Sequence, residues 1–445
     1  MCPHMAIQRM MLFKLLAFAL LAYTAQGGAF CAVASAPTTS ESRYEFAVRF
    51  DPADGALTAQ GTLGFTSRDP LGQVEFLLNG GLEIQRFQPD RAATVVIEHG
   101  ITLDSYALPN TRRITVTPAQ PLAPGERMTI AFDYSGTVTT DSIEIGRGVV
   151  TPGWSEMSME TLWYPVWLQG PELRSDVTLT LPEGYRVAAP GTVEALPDGR
   201  WRLRPQGPVN GRITFIAFAD AAERRRMLGE GLQDVVLSLA PEPRADAILE
   251  AAAVAFDAYR TLFGPPVADV DTLTIVYTNR DIGLKYPRQA YATGGDFIVL
   301  DESDARVQMD TLHHEVAHLW WSSGTPGTPD EFMSESISEF LAVRHGGDVW
   351  GDAWLADRRA AMARRSAATE DALRDIEGFS GSRQTLLYNR GPLALFALQE
   401  RVGRAAIDGL LRDVAAAQIM TLDGFVERLA ARHDRGIADA FNPAL

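Results

Sequence analysis

The stretch His314-Glu315-Val316-Ala317-His318 constrains the fold of this chain more than any other feature. Two histidines four positions apart lie on one face of a helix, where both imidazoles can reach a single tetrahedral metal ion. Glu315 then points towards the open position of that metal, and it can take a proton from a water whose pKa zinc has lowered to about 7. The pattern predicts a zinc-binding helix. The alternative is a chance register of ordinary histidines, and a third ligand is needed to decide between the two.

Length and charge narrow the class of protein. With 445 residues, the chain exceeds one ordinary hydrophobic core, so two or three domains are expected. Its net charge of −16 argues against nucleic acid and anionic membrane surfaces as partners. We therefore expect no nucleic-acid partner.

Residues 1–36 are predicted to be a signal peptide. Arg9 and Lys14 precede an apolar run at residues 15–25 that is too short to span a bilayer. A candidate cleavage site, Ala34-Ser35-Ala36, follows it. The sequence thus predicts an exported protein, periplasmic or secreted, with no stable membrane span after cleavage. The alternative is a membrane tether through an uncleaved N-terminal segment.

The cysteines restrict the choice of metal ligands. Cys2 and Cys31 both lie in the predicted signal peptide. Its removal would leave neither a disulfide nor a thiolate. Metal ligands of the mature chain must therefore be His, Asp or Glu.

The remaining residues divide into two predicted domains. In residues 37–222, short alternating runs separated by turn residues predict an antiparallel sheet or sandwich. These runs are Tyr44–Phe50, Thr94–Glu98, Arg113–Thr117, Met128–Tyr134, Asp176–Leu181, Arg186–Ala188, Arg200–Arg204 and Arg212–Ala217. Residues 223–445 are predicted to be mostly helical. Their predicted helices include Arg244–Phe263, Asp310–Ser322, Glu331–Arg344 and Leu393–Val402, with short strands at Leu273–Tyr277 and Phe297–Leu300. The predicted fold class is α+β multidomain, with an N-terminal antiparallel β-sheet or sandwich domain first.

Two glutamates are candidates for the third ligand. Glu335 and Glu339 share one face of a predicted helix, and a carboxylate suits a site with two His and one Glu that keeps one position open. Most such pairs are only a solvated acidic face. Here small serines flank Glu335, and the rest of the helix is largely apolar, so a buried helix beside the motif helix is expected.

The two segments from His314 to Trp321 and from Met333 to Phe340 together resemble the aminopeptidase N family of gluzincin zinc peptidases. The resemblance implies that residues 223–445 form a thermolysin-like zinc-peptidase domain. It also implies that Glu335 is the third ligand and Glu339 a supporting residue behind it. The segment between His318 and Glu335 counts 16 residues, two fewer than is usual in the family. We place the deletion in the loop at residues 324–329.

A second motif matches the same family independently. Tyr388-Asn389-Arg390-Gly391 resembles the family's Y-E-K-G motif, whose tyrosine donates a hydrogen bond to the tetrahedral intermediate. A donor aimed at a developing oxyanion contributes on the order of 3 kcal/mol to catalysis. The resemblance therefore implies a catalytic role for Tyr388; the alternative is ordinary packing at a helix start.

The features that bind a peptide amine in the family are less well matched. Counting back from Trp163-Tyr164-Pro165, Glu156 stands where the family has a residue that holds the amine. The family's G-x-M-E-N signature is absent, and Asp296 is the candidate to replace its glutamate. The family's long C-terminal helical domain also has no counterpart before Leu445, and this predicts a more open cleft.

The resemblance implies a zinc peptidase that takes peptides as substrates and holds one Zn²⁺ per chain. In the expected mechanism, His314, His318 and Glu335 bind zinc, Glu315 is the general base and Tyr388 stabilises the oxyanion. An aminopeptidase is the first expectation. The alternatives are a metallo-endopeptidase of low amine selectivity and a non-catalytic secreted zinc-binding module. The preferred residue at the cleavage site and the oligomeric state stay open.

Overall fold

The structure is a computed structural model that describes residues 39–103, 108–140, 148–167, 173–205, 213–219, 222–228, 232–238, 242–266, 272–278, 291–293, 296–301, 305–378 and 381–442. The predicted signal peptide lies outside the described residues. No helix among the described residues has the length and apolar character needed to cross a membrane.

The first half of the described chain is built from strands. They are β1 (Thr39–Asp51), β2 (Ala56–Ser67), β3 (Val74–Leu78), β4 (Leu82–Pro89), β5 (Ala93–Leu103), β6 (Leu108–Pro118), β7 (Arg127–Thr137), β8 (Val149–Thr151), β9 (Trp154–Met157), β10 (Leu173–Thr180), β11 (Arg186–Ala188), β12 (Thr192–Ala195), β13 (Trp201–Arg204) and β14 (Phe215–Phe218). β7 alternates buried and partly exposed positions, as expected for a strand that covers a core with one face.

The longest sheet has the strand order β12-β13-β10-β1-β2-β7-β4, and a second sheet has the order β3-β6-β5. Side chains from both sheets meet in one hydrophobic core, to which Phe46, Phe76 and Phe132 contribute. One pairing departs from the predicted antiparallel arrangement, because β1 and β10 run parallel with Phe46 opposite Val177. These two strands are distant in the sequence, so no hairpin turn dictates their direction.

A third sheet connects the β-rich region to the residues that follow it. Its order is β11-β14-β9-β8. Trp154, Ile216 and Phe218 of this sheet pack against Phe297 and Val299 in a small buried cluster. The last two residues belong to a fourth sheet, which is therefore in direct contact with the third.

The strands of the fourth sheet lie before and after the first long helix, Glu242–Phe263, along the chain. Its strands are β15 (Ala222–Leu228), β16 (Leu232–Ser238), β17 (Thr272–Thr278), β18 (Tyr291–Thr293) and β19 (Phe297–Asp301), in the order β15-β16-β17-β19-β18. β17 and β19 match two predicted strands. The β15–β16 hairpin was not predicted, because the helical pattern was read from residue 223 onwards.

The helices are α1 (Glu242–Phe263), α2 (Ala305–Ala317), α3 (Glu335–Trp350), α4 (Asp352–Ser366), α5 (Gly391–Val402), α6 (Arg404–Ala416), α7 (Leu422–Arg432) and α8 (Arg435–Phe441). Their apolar faces share a second large core, which includes Phe256, Trp320, Phe340 and Phe396. α3 lies at its centre, and Ile337, Phe340, Leu341 and Val343 are all at most 1% exposed. The predicted fold class is confirmed: a β-sheet region comes first and a mostly helical region follows.

Close packing between β1 and β2 gives a test of the first core. A Cβ atom at Gly61 would lie 2.1 Å from Cβ of Phe46 and 2.4 Å from the carbonyl oxygen of Glu45. We expect Gly61→Ala to lower the free energy of unfolding by about 1–3 kcal/mol, because the strands must separate to admit the methyl group. Gly72→Ala is the matched control, since nothing lies within 4 Å of a Cβ there. Equal urea midpoints for the two variants would contradict this packing.

Candidate metal centre

His314 and His318 lie at the C-terminal end of the motif helix. α2 ends at Ala317, and His318 follows in a tight turn in which its N–H donates to the carbonyl of Glu315. Trp320 fixes this turn from the apolar side: its ring packs on Phe256, and its Nε1–H donates to the carbonyl of Gly264 at 3.0 Å. The helix therefore begins and ends five residues earlier than predicted, and the second histidine is held by the turn.

The two imidazoles face each other through their Nε2 atoms, which are 3.1 Å apart. Nδ1 of His318 lies 2.8 Å from the carbonyl oxygen of Trp321. A carbonyl only accepts, so this hydrogen bond requires the proton on Nδ1 and leaves the Nε2 lone pair free. Nδ1 of His314 is likewise 3.0 Å from Oε2 of Glu339. Both rings thus present a ligand atom to the same point.

Glu335 supplies a third atom at that point. Its Oε2 lies 3.4 Å from Nε2 of His314 and 3.8 Å from Nε2 of His318. Bonds of about 2.0–2.1 Å at tetrahedral angles would separate ligand atoms by roughly 3.3 Å. The three atoms therefore fit a tetrahedral zinc ion without rearrangement of the helices.

The loop before α3 explains how the shorter connection is accommodated. A 3-10 turn, Pro329–Met333, leads into α3, and the side chain of Thr328 accepts a hydrogen bond from the N–H of Asp330. Gly324 has a φ of +120°, and a Cβ there would lie 2.4 Å from the carbonyl oxygen of Asp330. The loop thus folds tightly against the turn, and Glu335 begins the helix opposite the two histidines.

Glu315 also lies beside His318. Its Oε2 is 3.9 Å from Nε2 of His318, and it forms with the two histidines a group of potential metal-binding atoms within 4.8 Å of one another. Glu335 approaches both imidazoles more closely than this. The structure therefore brings two carboxylates, Glu315 and Glu335, to the histidine pair.

Tyr388 reaches the same centre from the C-terminal helices. It lies in a π-helical turn, Leu386–Arg390, a kind of distortion that is frequent at functional sites. Pro392 has no N–H, so the carbonyl of Tyr388 receives no helical hydrogen bond from it. The hydroxyl of Tyr388 donates to Oε2 of Glu335 at 2.5 Å, and its ring stacks on His314 with centroids 5.4 Å apart.

Small residues permit this approach. A Cβ at Gly391 would lie 2.2 Å from Oγ of Ser336, and Oγ of Ser336 donates to the carbonyl of Leu387 at 2.8 Å. The serine beside Glu335 therefore attaches the segment that carries Tyr388 to α3.

Two residues behind His314 were not predicted from the sequence. Arg358 of α4 forms ion pairs with Glu339 at 2.8 Å and with Asp310 at 2.9 Å. Asp310 precedes His314 by four residues, so helical spacing alone was a signal for it. No local pattern identifies Arg358, which comes from another helix.

The pKa shifts follow from burial and these partners. Burial by itself would lower the pKa of His314, but hydrogen bonds to Glu335 and Glu339 outweigh it and raise the pKa well above its usual value. Burial would raise the pKa of Glu335, but the two histidines hold it well below its usual value. The two shifts agree, since each ion of the pair stabilises the other.

Glu156 and Asp296 lie where the third and fourth sheets meet. Glu156 is in β9, opposite Ile216, and strand alternation places it on the same face as Trp154, which packs towards the fourth sheet. Oδ2 of Asp296 accepts from the N–H of Gly191 at 2.7 Å, and burial raises the pKa of Asp296 to about 7. Both carboxyl groups are buried.

His313 points to a different surface of α2. Its ring stacks on Trp350 with centroids 5.5 Å apart and lies 4.7 Å from the ring of His345. Burial lowers its pKa to about 3. It packs in the helical core on the side away from the metal-binding atoms.

Similar solved structures share the fold of this chain. The crystal structure of an M1 zinc metallopeptidase from Deinococcus radiodurans is 17% identical, with a TM-score of 0.65, over 91% of this chain and 93% of that chain. A mutant of the enzyme from the same organism, bound to a Tyr-Ser-Ala substrate, gives a TM-score of 0.64 at 18% identity over the same shares. A two-domain M1 zinc metallopeptidase mutant bound to L-arginine gives 0.65 at 18%.

The fold is therefore that of the M1 zinc metallopeptidases, with which the chain aligns over nearly its full described length. No protein-family model and no curated protein matches the sequence. At this level of identity, the function rests on the residues of the centre itself.

The raised pKa of His314 predicts a pH dependence of metal binding. The raised pKa favours the protonated form of His314 in the metal-free protein, and the ring must lose that proton to bind zinc through Nε2. We expect the apparent affinity for zinc to rise by about tenfold per pH unit until the pH exceeds the pKa of His314. Calorimetry in buffers of different ionisation enthalpy should show proton release at pH 7. Binding at pH 7 without proton release would contradict the assignment.

Proposed function

We propose that this protein is a zinc-dependent peptidase of the aminopeptidase type. The observation that carries the proposal is the convergence of two Nε2 atoms and one carboxylate oxygen at 3.1, 3.4 and 3.8 Å from one another. A second carboxylate and a tyrosine hydroxyl stand beside them. A purely structural zinc site needs neither of these two groups.

His314, His318 and Glu335 would hold one zinc ion. Such an ion supplies Lewis-acid chemistry: it polarises a carbonyl and lowers the pKa of water. Glu339 and the carbonyl of Trp321 hold the two imidazoles with Nε2 directed at the metal position. These contacts fix the ring orientations and favour the proton on Nδ1 once each ring is neutral.

Glu315 is the proposed general base. It is buried, its carboxylate lies 3.9 Å from Nε2 of His318, and in the proposed mechanism it would accept a proton from the attacking water. It would then deliver that proton to the amine that leaves. The hydroxyl of Tyr388 donates to Glu335 here, and it would donate instead to the carbonyl oxygen as negative charge develops on it.

The substrate class follows from the third and fourth sheets. We assign Glu156 and Asp296 as candidate groups for a free α-amine, since both are buried carboxyls where the third and fourth sheets meet. The Deinococcus enzyme mutant was crystallised with a Tyr-Ser-Ala substrate. The alternative is an endopeptidase of low amine selectivity. We further propose export to the periplasm or the outside, with residues 37–222 and 223–445 as the two domains.

Replacing the general base separates binding from turnover. We expect Glu315→Gln to bind zinc with unchanged stoichiometry and to lose at least about a hundredfold in kcat, because the amide cannot take the proton. Glu370→Gln, an exposed position, is the control and should retain full activity. Metal analysis and hydrolysis of aminoacyl arylamides would be measured on the same samples. Unchanged turnover in Glu315→Gln would exclude the mechanism, and no turnover in the wild type would favour a non-catalytic module.

A free amine on the substrate tests the exopeptidase assignment. We expect aminoacyl arylamides to be cleaved at least about tenfold better than the same compounds with a blocked N-terminus, since an ion pair to a buried carboxylate is lost. Glu156→Gln and Asp296→Asn should each raise KM for the free-amine substrate, with little effect on the blocked one. The exposed Glu194→Gln is the matched control. Equal cleavage of free and blocked substrates would identify an endopeptidase.

A further inference from the structure

The guanidinium of Arg358 lies between two buried carboxylates. Its Nε is 2.9 Å from Oδ2 of Asp310, and one terminal nitrogen is 2.8 Å from Oε1 of Glu339. The carboxylate side chains are only 7% and 8% exposed. The three residues come from α2, α3 and α4, so this single side chain connects three helices.

Glu339 has both oxygens engaged. Oε1 accepts from Arg358 and Oε2 contacts Nδ1 of His314 at 3.0 Å. Rotation of the carboxylate would break both contacts at once. The orientation of the His314 ring therefore depends on the position of Arg358. The link between these two side chains runs through the carboxylate of Glu339.

The ring of His314 needs this support. A histidine that binds a metal through Nε2 is oriented by the partner of its Nδ1, and loss of such a partner weakens metal binding. Without Arg358, Glu339 would be a buried carboxylate with a single partner, and such a group moves towards water. That movement removes the acceptor from Nδ1.

Asp310 holds Arg358 from the other side. It stands one helical turn before His314, so α2 carries both the ligand and the residue that anchors the guanidinium. Its second oxygen, Oδ1, is buried and makes no hydrogen bond among the described residues. The pair with Arg358 is thus the main compensation for this charge.

We propose that Arg358, anchored by Asp310, is a positioning residue for the metal centre: it fixes Glu339, which fixes the ring and tautomer of His314. This role rests on the proposed function only in requiring that His314 bind the metal. Arg358 does not touch the metal-binding atoms, so its removal would act on metal affinity through Glu339.

Zinc affinity measured by chelator competition tests the role directly. We expect Arg358→Met to weaken zinc binding by about 10- to 100-fold. Arg359→Met is the matched control, since Arg359 is next in α4 and pairs with Glu400 on the surface; it should bind zinc as the wild type does. Arg358→Lys should lie between the two, because an ammonium group keeps the charge and lacks the planar fork that reaches both carboxylates.

The visible absorption spectrum of the cobalt-substituted protein reports the geometry of the metal ligands, and a change in fold stability alone does not alter it. The visible absorption bands of Co²⁺ should shift in Arg358→Met and remain unchanged in Arg359→Met, since only the former releases the His314 ring. In a double-mutant cycle, Glu339→Gln and Arg358→Met should be strongly non-additive in zinc affinity, because both act through one carboxylate. Additive losses would overturn the proposed chain of contacts.

Circular dichroism of the metal-free variants shows whether each of them folds. If Arg358→Met does not fold, zinc affinity is measured instead in Arg358→Lys and in the double variant Arg358→Met/Asp310→Asn. The double variant removes the ion pair as a whole. Wild-type zinc affinity in either of these proteins would overturn the proposal. Zinc affinity of Arg358→Met within twofold of that of Arg359→Met would overturn the positioning role and leave the proposed function intact. A wild-type protein that binds no zinc would overturn the proposed function itself.

Discussion

The arrangement of α2, α3 and α4 depends on the neutralisation of carboxylates buried between them. The side chains of Asp310, Glu315 and Glu339 are at most 8% exposed, and the side chain of Glu335 is 18% exposed beside them. A buried charge without a partner costs several kcal/mol. Arg358 compensates the two acids behind His314, and a divalent cation would compensate the two acids in front of it. The apolar faces of the helices and the tight loop before α3 bring these partners together.

The proposed site draws its residues from two parts of the fold. The metal-binding atoms come from α2 and α3, whose apolar residues lie in the core of the helical region. The carboxyls proposed to bind an amine, Glu156 and Asp296, come from the contact between two sheets. The proposed metal ligands therefore all come from the helical region, whereas the proposed amine-binding groups include Glu156 of the β-rich region. This separation is consistent with a peptidase whose chemistry is fixed and whose substrate range is set at the sheet contact.

Local spacing in the sequence predicted much of this centre. The four-residue interval of His314 and His318 and that of Glu335 and Glu339 indicated two helices with facing polar positions, and the structure places them so. Local spacing does not report contacts between distant segments. For that reason Arg358 was missed, as were the parallel pairing of β1 with β10 and the β15–β16 hairpin. The π-helical turn at Tyr388 was missed for a related reason, since it depends on how Pro392 follows the tyrosine and on packing against Ser336.

X-ray absorption at the zinc edge of the zinc-loaded protein tests whether His314, His318 and Glu335 bind a single zinc ion. We expect one zinc per chain, two imidazole ligands at about 2.0–2.1 Å, oxygen ligands at about 2.0–2.2 Å and no sulfur. In the Glu335→Ala variant the imidazole signal should remain while the oxygen contribution changes. A shell without two imidazoles, or an identical spectrum for Glu335→Ala, would contradict the account.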